Sequence, residues 1–509
     1  LLERLAAAAG KAVQRQAERS LDRLLERSGP RPVEDLHVLL PFGGGKDSAY
    51  TLAYVRLMQL LAKARNGRTF QLHVLTMLHP GVPAGVFENI ENVFRALAVE
   101  SAGEVRIFAT ALHGIAIPLA PGSIRQDHLE VFRQEVLISG HLSQGNGRET
   151  FCNSCNFLLM NAIARYVTDR QGEIDFVITG DSAGEALSYW RWVQKASHRF
   201  GLERIPRQRA GWASLFGKLA ELNDTYYLQL LGPEALATES PYTFPNVDRA
   251  GFRPPEYFGV FAETAYEYWS HAAFLKDFLG FELRQDAFNF TESDCRNPML
   301  MAHLRGLLAE FEGRGYLLGV REYLQFATEL MEQKSYDRAM IELALEPYRD
   351  AADVLSRRRL AEAYAWDHYR LTAFQLAGLV ASPVTDEAAR LGSFLRWQNQ
   401  SEPGLEESLI GYLDALRDEL GAEPGLPSSV VEARVATRLR KHRIDLERAT
   451  AFFYDRLGLH PRSLHLLALR RAVSQPGRAS SELELVRIGD PHQRTLAGAC
   501  GANRVLTGR

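Results

Sequence analysis

The stretch that decides the fold is HVLLPFGGGKDSAYTLAYV, residues 37–55. An apolar run ends in three glycines, then a lysine, an aspartate and a serine lead into an apolar helical pattern. A strand that turns through glycines into a helix N-terminus forms an anion site, because glycine lets backbone N–H groups approach an oxyanion closely and the helix dipole favours negative charge. The sequence therefore predicts a phosphate-binding loop over residues 43–48.

Strand-like and helix-like segments alternate outward from this loop to about Gly180. Apolar, strand-like runs cover residues 36–42, 70–78, 103–111 and 174–180, and helical patterns cover residues 47–64, 86–98, 129–137 and 157–168. Such alternation indicates βαβ units, and strands without polar alternation indicate a parallel sheet covered on both faces. We expect an α/β, doubly wound parallel sheet.

Composition shifts divide the rest of the chain. Residues 1–32 read as an amphipathic N-terminal helix, residues 33–296 as the α/β domain, residues 297–473 as an all-α domain and residues 474–509 as a C-terminal tail. The helical domain is too apolar for a tail, so we expect it to pack against the carboxyl edge of the sheet, where ligands bind in doubly wound folds. There it would shape an acceptor pocket. The alternative is a module for dimerisation or partner docking.

Bulk composition narrows the class of protein. The 509 residues carry a net charge of -3, which gives no global basic field and argues against nucleic acid as substrate, although RLRKHR at residues 438–443 is locally basic. No uncharged apolar stretch reaches about 18 residues, so no membrane span is expected. Four cysteines fit a reduced cytoplasmic protein.

The loop does not match two common phosphate motifs. Asp47 follows Gly-Lys where a Walker A loop has serine or threonine, and Ser48 stands at the last glycine of a dinucleotide fingerprint. The motif that fits is S-G-G-x-D-S, and GGGKDS resembles this pyrophosphate loop of the N-type ATP pyrophosphatases (the PP-loop superfamily). That superfamily includes GMP synthetase, asparagine synthetase, tRNA thiolation enzymes and N-acetyl-sugar amidotransferases. Gly43 replaces the first serine, which removes one hydroxyl donor and keeps the backbone donors.

The resemblance extends to the end of a later strand. VITGDSAGEALSYW at residues 177–190 stands where the family carries a T-G-H-x-x-D-D-like segment, with Asp181 at the histidine and Glu185 near the second aspartate. The resemblance implies that ATP and Mg²⁺ bind at this sheet edge. The implied nucleotide-binding residues are Gly43, Gly44, Gly45, Lys46, Asp47, Ser48, Met77, Leu78, Gly180, Asp181 and Glu185. Lys46, Asp47, Ser48 and Asp181 would be the catalytic ones, and Thr179 and His79 would lie close by.

The resemblance also implies a reaction. A carbonyl or carboxylate oxygen of a small molecule, for instance a sugar, attacks the α-phosphorus of ATP and pyrophosphate leaves. Ammonia or an amine then displaces AMP, as in an amidotransferase or ligase, with ammonia from solution or from a separate glutaminase. The alternatives are a sulfur transferase acting on tRNA or a small molecule with a sulfur-donor protein, and a non-catalytic nucleotide-binding module. The sequence leaves oligomerisation open, including a homo-oligomer.

The cysteines form a second candidate site. FCNSCNF places Cys152 and Cys155 as C-x-x-C just before a predicted helix, and Cys295 is the candidate third ligand. Asp294, His303 and Cys500 are candidates for the fourth. A structural Zn²⁺ site, a sulfur-handling or iron–sulfur site and unligated thiols all fit this pattern. Sugar amidotransferases and tRNA thiolases of the family carry a similar C-x-x-C, and the chain looks most like the sugar-amidotransferase branch.

Overall fold

The computed structural model of the chain describes residues 1–112, 114–143, 145–170, 172–180, 183–199, 202–205, 214–222, 253–260, 264, 268–282, 297–333, 336, 338–383, 389–399, 402–422 and 428–459. Within these ranges an α/β region comes first and an all-helical region follows. The predicted fold class is confirmed. Among the described residues, no helix combines the length and apolar character needed to cross a membrane.

Six strands form one sheet in the described part of the α/β region. They are β1 (His37–Pro41), β2 (Gln71–Met77), β3 (Val105–Ala111), β4 (Ile115–Ala116), β5 (Phe176–Val177) and β6 (Glu256–Tyr257). Their order is β4-β3-β2-β1-β5-β6, and every pairing is parallel except that of β3 with β4. The chain first winds from β1 towards β3 and later returns to the other side of β1. The order of the strands therefore reverses between β1 and β5, and the carboxyl ends of these strands flank a crevice.

Helices cover both faces of the sheet. They are α1 (Leu2–Ala9), α2 (Lys11–Ser28), α3 (Lys46–Asn66), α4 (Ala84–Ala96), α5 (Gln126–Leu142), α6 (Gly147–Asp169), α7 (Ala183–Arg199), α8 (214–222) and α9 (Tyr268–Ala273), which continues as a π-helical turn over Phe274–Phe278. Val38 and Leu40 face a core that includes residues of α1 to α4, whereas Leu39 faces a core that includes residues of α6, α7 and α8. This alternation along β1 follows from the two-residue period of a strand.

The helical region has its own core, and elements of the α/β region contribute to it. Its helices are α10 (Pro298–Phe311), α11 (Tyr316–Gln333), α12 (Arg338–Leu345), α13 (Ala351–Tyr369), α14 (Ala373–Ala381), α15 (Leu391–Trp397), α16 (Leu405–Ala422), α17 (Ser428–Lys441) and α18 (Leu446–Thr450), which continues as a π-helical turn over Ala451–Arg456. Val136 and Leu137 of α5 and Phe151 of α6 are buried in this core. The two regions therefore share the α5–α6 crossover.

Three local features differ from the sequence-based expectation. Gly10, at φ 87°, divides the N-terminal helix into α1 and α2. Helix α6 begins at Gly147, ten residues before the apolar pattern that predicted it, because Oδ1 of Asn146 accepts a hydrogen bond from the Glu149 amide and caps the helix. Strand β6 lies in RPPEYFG, residues 253–259, a proline- and aromatic-rich stretch for which no strand was predicted.

Candidate functional site

The glycine loop lies at the carboxyl end of the central strand. After β1 ends at Pro41, the Phe42 amide donates to the Leu75 carbonyl at 2.8 Å, and α3 begins at Lys46. Gly44 lies between them at φ 76°, and a Cβ built there would lie 2.7 Å from Cγ1 of Val86. Only glycine suits this position, because a side chain would be strained by the backbone and would also overlap α4.

The first turn of α3 presents backbone donors at the loop. Gly45 is the N-cap residue and no side chain caps the helix. The first amides of a helix have no partner inside the helix, so they can receive an anion together with the positive end of the helix dipole. The Ser48 hydroxyl donates to the Gly45 carbonyl at 2.9 Å and braces the loop. A strand, a glycine turn and a helix N-terminus in this arrangement can bind an anion.

Lys46 and Asp47 place opposite charges beside these donors. Nζ of Lys46 lies 3.3 Å from Oδ1 of Asp47, and the exposed fractions of the two side chains are 11% and 49%. A lysine in the first turn of α3 adds positive charge at the end of the helix where phosphate oxygens would lie. The carboxylate of Asp47 faces solvent and can also serve as a cation ligand.

The end of β5 packs directly on this turn. A Cβ added to Gly180 would lie 2.5 Å from Oγ1 of Thr51 and 3.2 Å from the carbonyl oxygen of Asp47. The Thr51 hydroxyl donates to that same carbonyl at 2.8 Å. The structure thus brings together Gly180 and the GGGKDS loop, which lie more than 130 residues apart in the sequence and were both predicted to contribute to one site.

The acidic residues predicted after β5 are only partly visible. Asp181 lies outside the described residues, and Glu185 lies in α7 with a side chain that is not described. Asp47 is the carboxylate that the described residues place at the loop. Magnesium is commonly held by one or two carboxylates together with phosphate oxygens of the substrate, so Asp47 and the loop fit Mg²⁺ bound with a nucleotide.

The end of β2 carries Met77 and Leu78, two of the residues expected to bind the nucleotide. The Leu78 amide donates to the Thr110 carbonyl at 2.7 Å, so the sheet engages this donor, and nucleotide binding by Met77 and Leu78 stays a prediction. Met77 is half-buried and packs against a small apolar cluster that includes Phe132. His79 is buried, and its ring lies edge-on to Phe132 at 5.2 Å between centroids. His79 therefore has a structural role.

The helical region contacts the loop that follows β2. The hydroxyl of Tyr364 in α13 donates to the Gly81 carbonyl at 3.0 Å, and the hydroxyl of Tyr369 lies 3.3 Å from Nδ1 of His79. Part of the helical region thus lies at the carboxyl end of β2, on the edge of the sheet that carries the glycine loop. Sequence reasoning missed both tyrosines, because no local pattern links them to a loop about 280 residues earlier.

The cysteine site is only partly described. Cys295 and Cys500 lie outside the described residues, as does Asp294, and the side chain of Cys152 is not described. Cys155 is a free thiol, half-buried against the core of the helical region. The C-x-x-C pair lies within α6 rather than ahead of a helix, beyond the first turn where the helix dipole acts. The zinc site with Cys152, Cys155 and Cys295 stays a prediction.

Two further candidates have other contacts. Arg438, in the basic stretch at residues 438–443, pairs with Asp418 at 2.6 Å on the surface of the helical region. The buried His303 lies 2.9 Å from the Tyr316 hydroxyl, and burial lowers its pKa to about 3.

Comparison with models of known protein families finds no match, and comparison with curated proteins finds none either.

Proposed function

We propose that the chain binds ATP at the glycine loop and cleaves it between the α and β phosphates, forming AMP and pyrophosphate. In this proposal it is an N-type ATP pyrophosphatase that adenylates a carbonyl or carboxylate oxygen of a small molecule. Ammonia or an amine then displaces AMP, which makes the enzyme a ligase or amidotransferase.

One observation carries the proposal: the GGGKDS loop and Gly180 meet where the strand order of the sheet reverses. Gly180 packs on the first turn of α3, beside the carbonyl of Asp47. Open α/β sheets bind their ligands at this reversal. A triphosphate lying there would receive the first amides of α3, and the glycines would let its oxygens approach the backbone.

The described residues suit charge stabilisation better than covalent catalysis. As pyrophosphate leaves, negative charge grows on its oxygens, and Lys46 with the loop amides would stabilise that charge. Mg²⁺ bound with the nucleotide would neutralise further phosphate charge. Asp47 would hold Lys46 at 3.3 Å and offer an oxygen to the cation. This mechanism needs no protein nucleophile.

The position of the helical region favours a small molecule as the acceptor substrate. Tyr364 and Tyr369 hold the β2–α4 loop, at the edge where an acceptor would reach the α-phosphorus. A cover at that edge limits water, which would otherwise hydrolyse the adenylate. The net charge of -3 and the pairing of Arg438 with Asp418 give tRNA no added attraction.

The test is the identity of the products. The protein and Mg²⁺ are incubated with a panel of small carbonyl and carboxylate compounds in two series. ATP labelled at the α-phosphate, with ammonia present, reports AMP, whereas unlabelled ATP with labelled pyrophosphate reports exchange for each compound. We expect labelled AMP, pyrophosphate and acceptor-dependent exchange. Formation of ADP and inorganic phosphate would overturn the proposal. Transfer of sulfide in place of ammonia would support a sulfur transferase, and ATP binding without AMP release would support a non-catalytic nucleotide-binding module.

Matched lysine variants connect the activity to the loop. Lys46→Ala should lower the rate of AMP formation about 100-fold, the usual effect of removing one charge-stabilising donor. Lys63→Ala is the control, because Lys63 lies on the same helix and is half exposed beside Glu104. It is 17 residues from Lys46, roughly 25 Å along α3. Equal effects of the two substitutions would remove the loop from the reaction.

A further inference from the structure

Two histidines and a glutamate converge at the other end of the sheet. Nδ1 of His37 lies 2.9 Å from Nε2 of His73 and 3.2 Å from Oε1 of Glu173, and the three ligand atoms all lie within 4.8 Å of one another. His37 opens β1, whereas the glycine loop follows its carboxyl end. At about 3.3 Å per residue, β1 alone separates the two sites by roughly 13 Å. The cluster is therefore distinct from the candidate nucleotide site.

The register of β1 and β2 places both imidazoles on the same side of the sheet. His37 pairs with Gln71 in the parallel register, so His73 lies two residues further along β2 and its side chain faces the same side of the sheet as that of His37. His37 begins the otherwise apolar strand HVLLP, and His73 lies inside the largely apolar strand QLHVLTM. A histidine in such a strand is a weak sequence signal, and it does not show that the two strands are neighbours.

The donor geometry suits a tetrahedral metal. Zinc–nitrogen bonds are about 2.0–2.1 Å long, so two ligand atoms of a tetrahedral site lie about 3.3 Å apart. The separations of 2.9 and 3.2 Å fall close to this value, and small movements of the side chains would admit an ion. The side chain of Glu173 is 34% exposed, which gives an ion a route from solvent and leaves room for a water ligand.

A tyrosine orients the buried imidazole. Nδ1 of His73 lies 2.7 Å from the Tyr166 hydroxyl on α6. Histidine ligands commonly donate their other ring N–H to a fixed oxygen, which sets the tautomer and aims the free nitrogen at the metal. Burial lowers the pKa of His73 to about 3 and also lowers that of His37.

Arginine side chains around the cluster compete with an ion for the Glu173 carboxylate. Arg106 lies 3.4 Å from the carboxylate of Glu173, and Arg170 lies 4.0 Å from it. Arg31 is paired with Asp175, whose other oxygen accepts the His37 amide at 3.0 Å. An ion must therefore draw Glu173 away from Arg106, whose side chain is 49% exposed and free to swing into solvent.

We propose that His37, His73 and Glu173 form a binding site for a divalent transition metal of the zinc class, with a water as the fourth ligand. The two-histidine, one-carboxylate set is one that zinc uses when a coordination position stays open. Tyr166 is a positioning residue for His73, and Arg106 competes with the ion for Glu173.

The test uses Co²⁺ as a spectroscopic substitute for zinc. The full chain is freed of metal with a chelator and titrated with Co²⁺ at pH 7.5, without nucleotide, and the visible d–d absorption is recorded. We expect tetrahedral bands that saturate at one ion for this site. Glu173→Gln should weaken the affinity at least tenfold, and Tyr166→Phe about tenfold, in the range found for ligand-orienting residues. Arg106→Gln should tighten binding.

Two precautions keep the outcome decisive. Cobalt bound to the cysteines would give a near-ultraviolet thiolate band, so the site is measured as the difference between the wild-type and Glu173→Gln spectra. Because His73 is buried and its substitution could disturb folding, the conclusion depends on the partly exposed Glu173 and His37. The proposal is wrong if no Co²⁺ binds at 100-fold excess over the protein, if the wild-type and Glu173→Gln spectra coincide throughout the titration, or if His37→Gln keeps the wild-type bands. Nucleotide cleavage enters neither measurement, so this result is independent of the proposed function.

Discussion

Tyr369, the last residue of α13, donates its hydroxyl hydrogen to Nδ1 of His79 at 3.3 Å, just beyond β2. The direction of the bond follows from a second contact: the Gly81 amide, which can only donate, also lies 3.2 Å from that nitrogen. Nδ1 is therefore an acceptor. The tyrosine and the imidazole are both buried, so this bond joins the helical region to the sheet away from water.

Substitutions that add or remove one atom at this contact test how closely Gly81 and Tyr369 pack. A Cβ added at Gly81 would lie 2.1 Å from the Tyr369 hydroxyl. Gly81→Ala should lower the free energy of unfolding by about 1–3 kcal/mol, the usual cost of overpacking. Tyr369→Phe alone should cost about 1 kcal/mol through the lost hydrogen bond. In the double variant the overlap is relieved, so we expect a loss smaller than the sum, measured by urea unfolding.

Gly103 is the matched control for that pair, because a Cβ there would meet nothing within 4 Å. Gly103→Ala should change stability little. Strict additivity of Gly81→Ala and Tyr369→Phe would contradict the described contact.

The glycine loop can be tested by separating backbone strain from crowding. Gly44→Ala combines a positive φ with a Cβ 2.7 Å from Val86 and 2.8 Å from Ile90. Gly67→Ala has a similar φ of 72° and nothing within 4 Å. Gly67→Ala, the control, should lower the free energy of unfolding by about 1–2 kcal/mol, because alanine is strained in the left-handed backbone conformation. Gly44→Ala should cost more by roughly 1–3 kcal/mol, because α4 is displaced. Equal losses in thermal or urea unfolding would mean that α4 does not press on the loop.

The buried His141 should make stability depend on pH. Burial lowers its pKa to about 4, below the ordinary value of about 6.5 that applies in the unfolded chain. Between these values the unfolded chain binds a proton that the folded chain excludes. Stability is therefore complete above about pH 6.5 and falls as the pH drops to 4. The slope is up to about 1.4 kcal/mol per pH unit for this one group.

His141→Leu should remove that share of the slope when urea unfolding is compared at pH 7, 6 and 5. Both ring nitrogens of His141 are buried without a hydrogen-bond partner among the described residues, so the substitution should not lower stability at pH 7. His442→Leu, at an exposed histidine, is measured alongside as the control substitution. An unchanged slope in His141→Leu would contradict the prediction.

A buried guanidinium provides a further stability test. Arg56 is 4% exposed, and its Nη1 lies 3.4 Å from Oε1 of Glu104. Glu104→Gln leaves the buried charge without its ionic partner and should cost roughly 2–3 kcal/mol of unfolding free energy. Lys63→Ala removes the exposed partner of the same carboxylate, and we expect a loss of no more than about 1 kcal/mol. The two losses of unfolding free energy are compared by urea unfolding. Equal losses in Glu104→Gln and Lys63→Ala would contradict a buried Arg56–Glu104 pair.

The sequence predicted the elements whose structure is determined by neighbouring residues in the chain. An apolar run shows that residues 37–41 form a strand, and three glycines before an apolar helix show where that strand turns. Position along the chain does not reveal which strands adjoin, so the meeting of Gly180 with Asp47 rested on family resemblance. The start of α6 was missed because a single Asn146 cap extends the helix beyond its apolar pattern.

Contacts between distant residues lay beyond sequence reasoning for the same reason. His37 and His73 meet because of the register of two strands, and Glu173 joins them only once α6 has crossed the sheet. Tyr369 could be recognised from sequence as a core residue, whereas its hydrogen bond to His79 depends on how one region docks on the other. Residue type and spacing carry no information about docking.

The shared α5–α6 crossover has a consequence for how the protein is made. Leu137 and Phe151 emerge from the ribosome long before the α14 residues, such as Leu376, that share their core. At about 5–20 residues per second, synthesis of the intervening 225 residues, from 151 to 376, takes roughly 10 to 45 s. During that interval the apolar side of the crossover lacks its α14 contacts and is open to a chaperone or to aggregation. Since both cores need this crossover, the finished protein should also lose its two regions together, in a single cooperative transition.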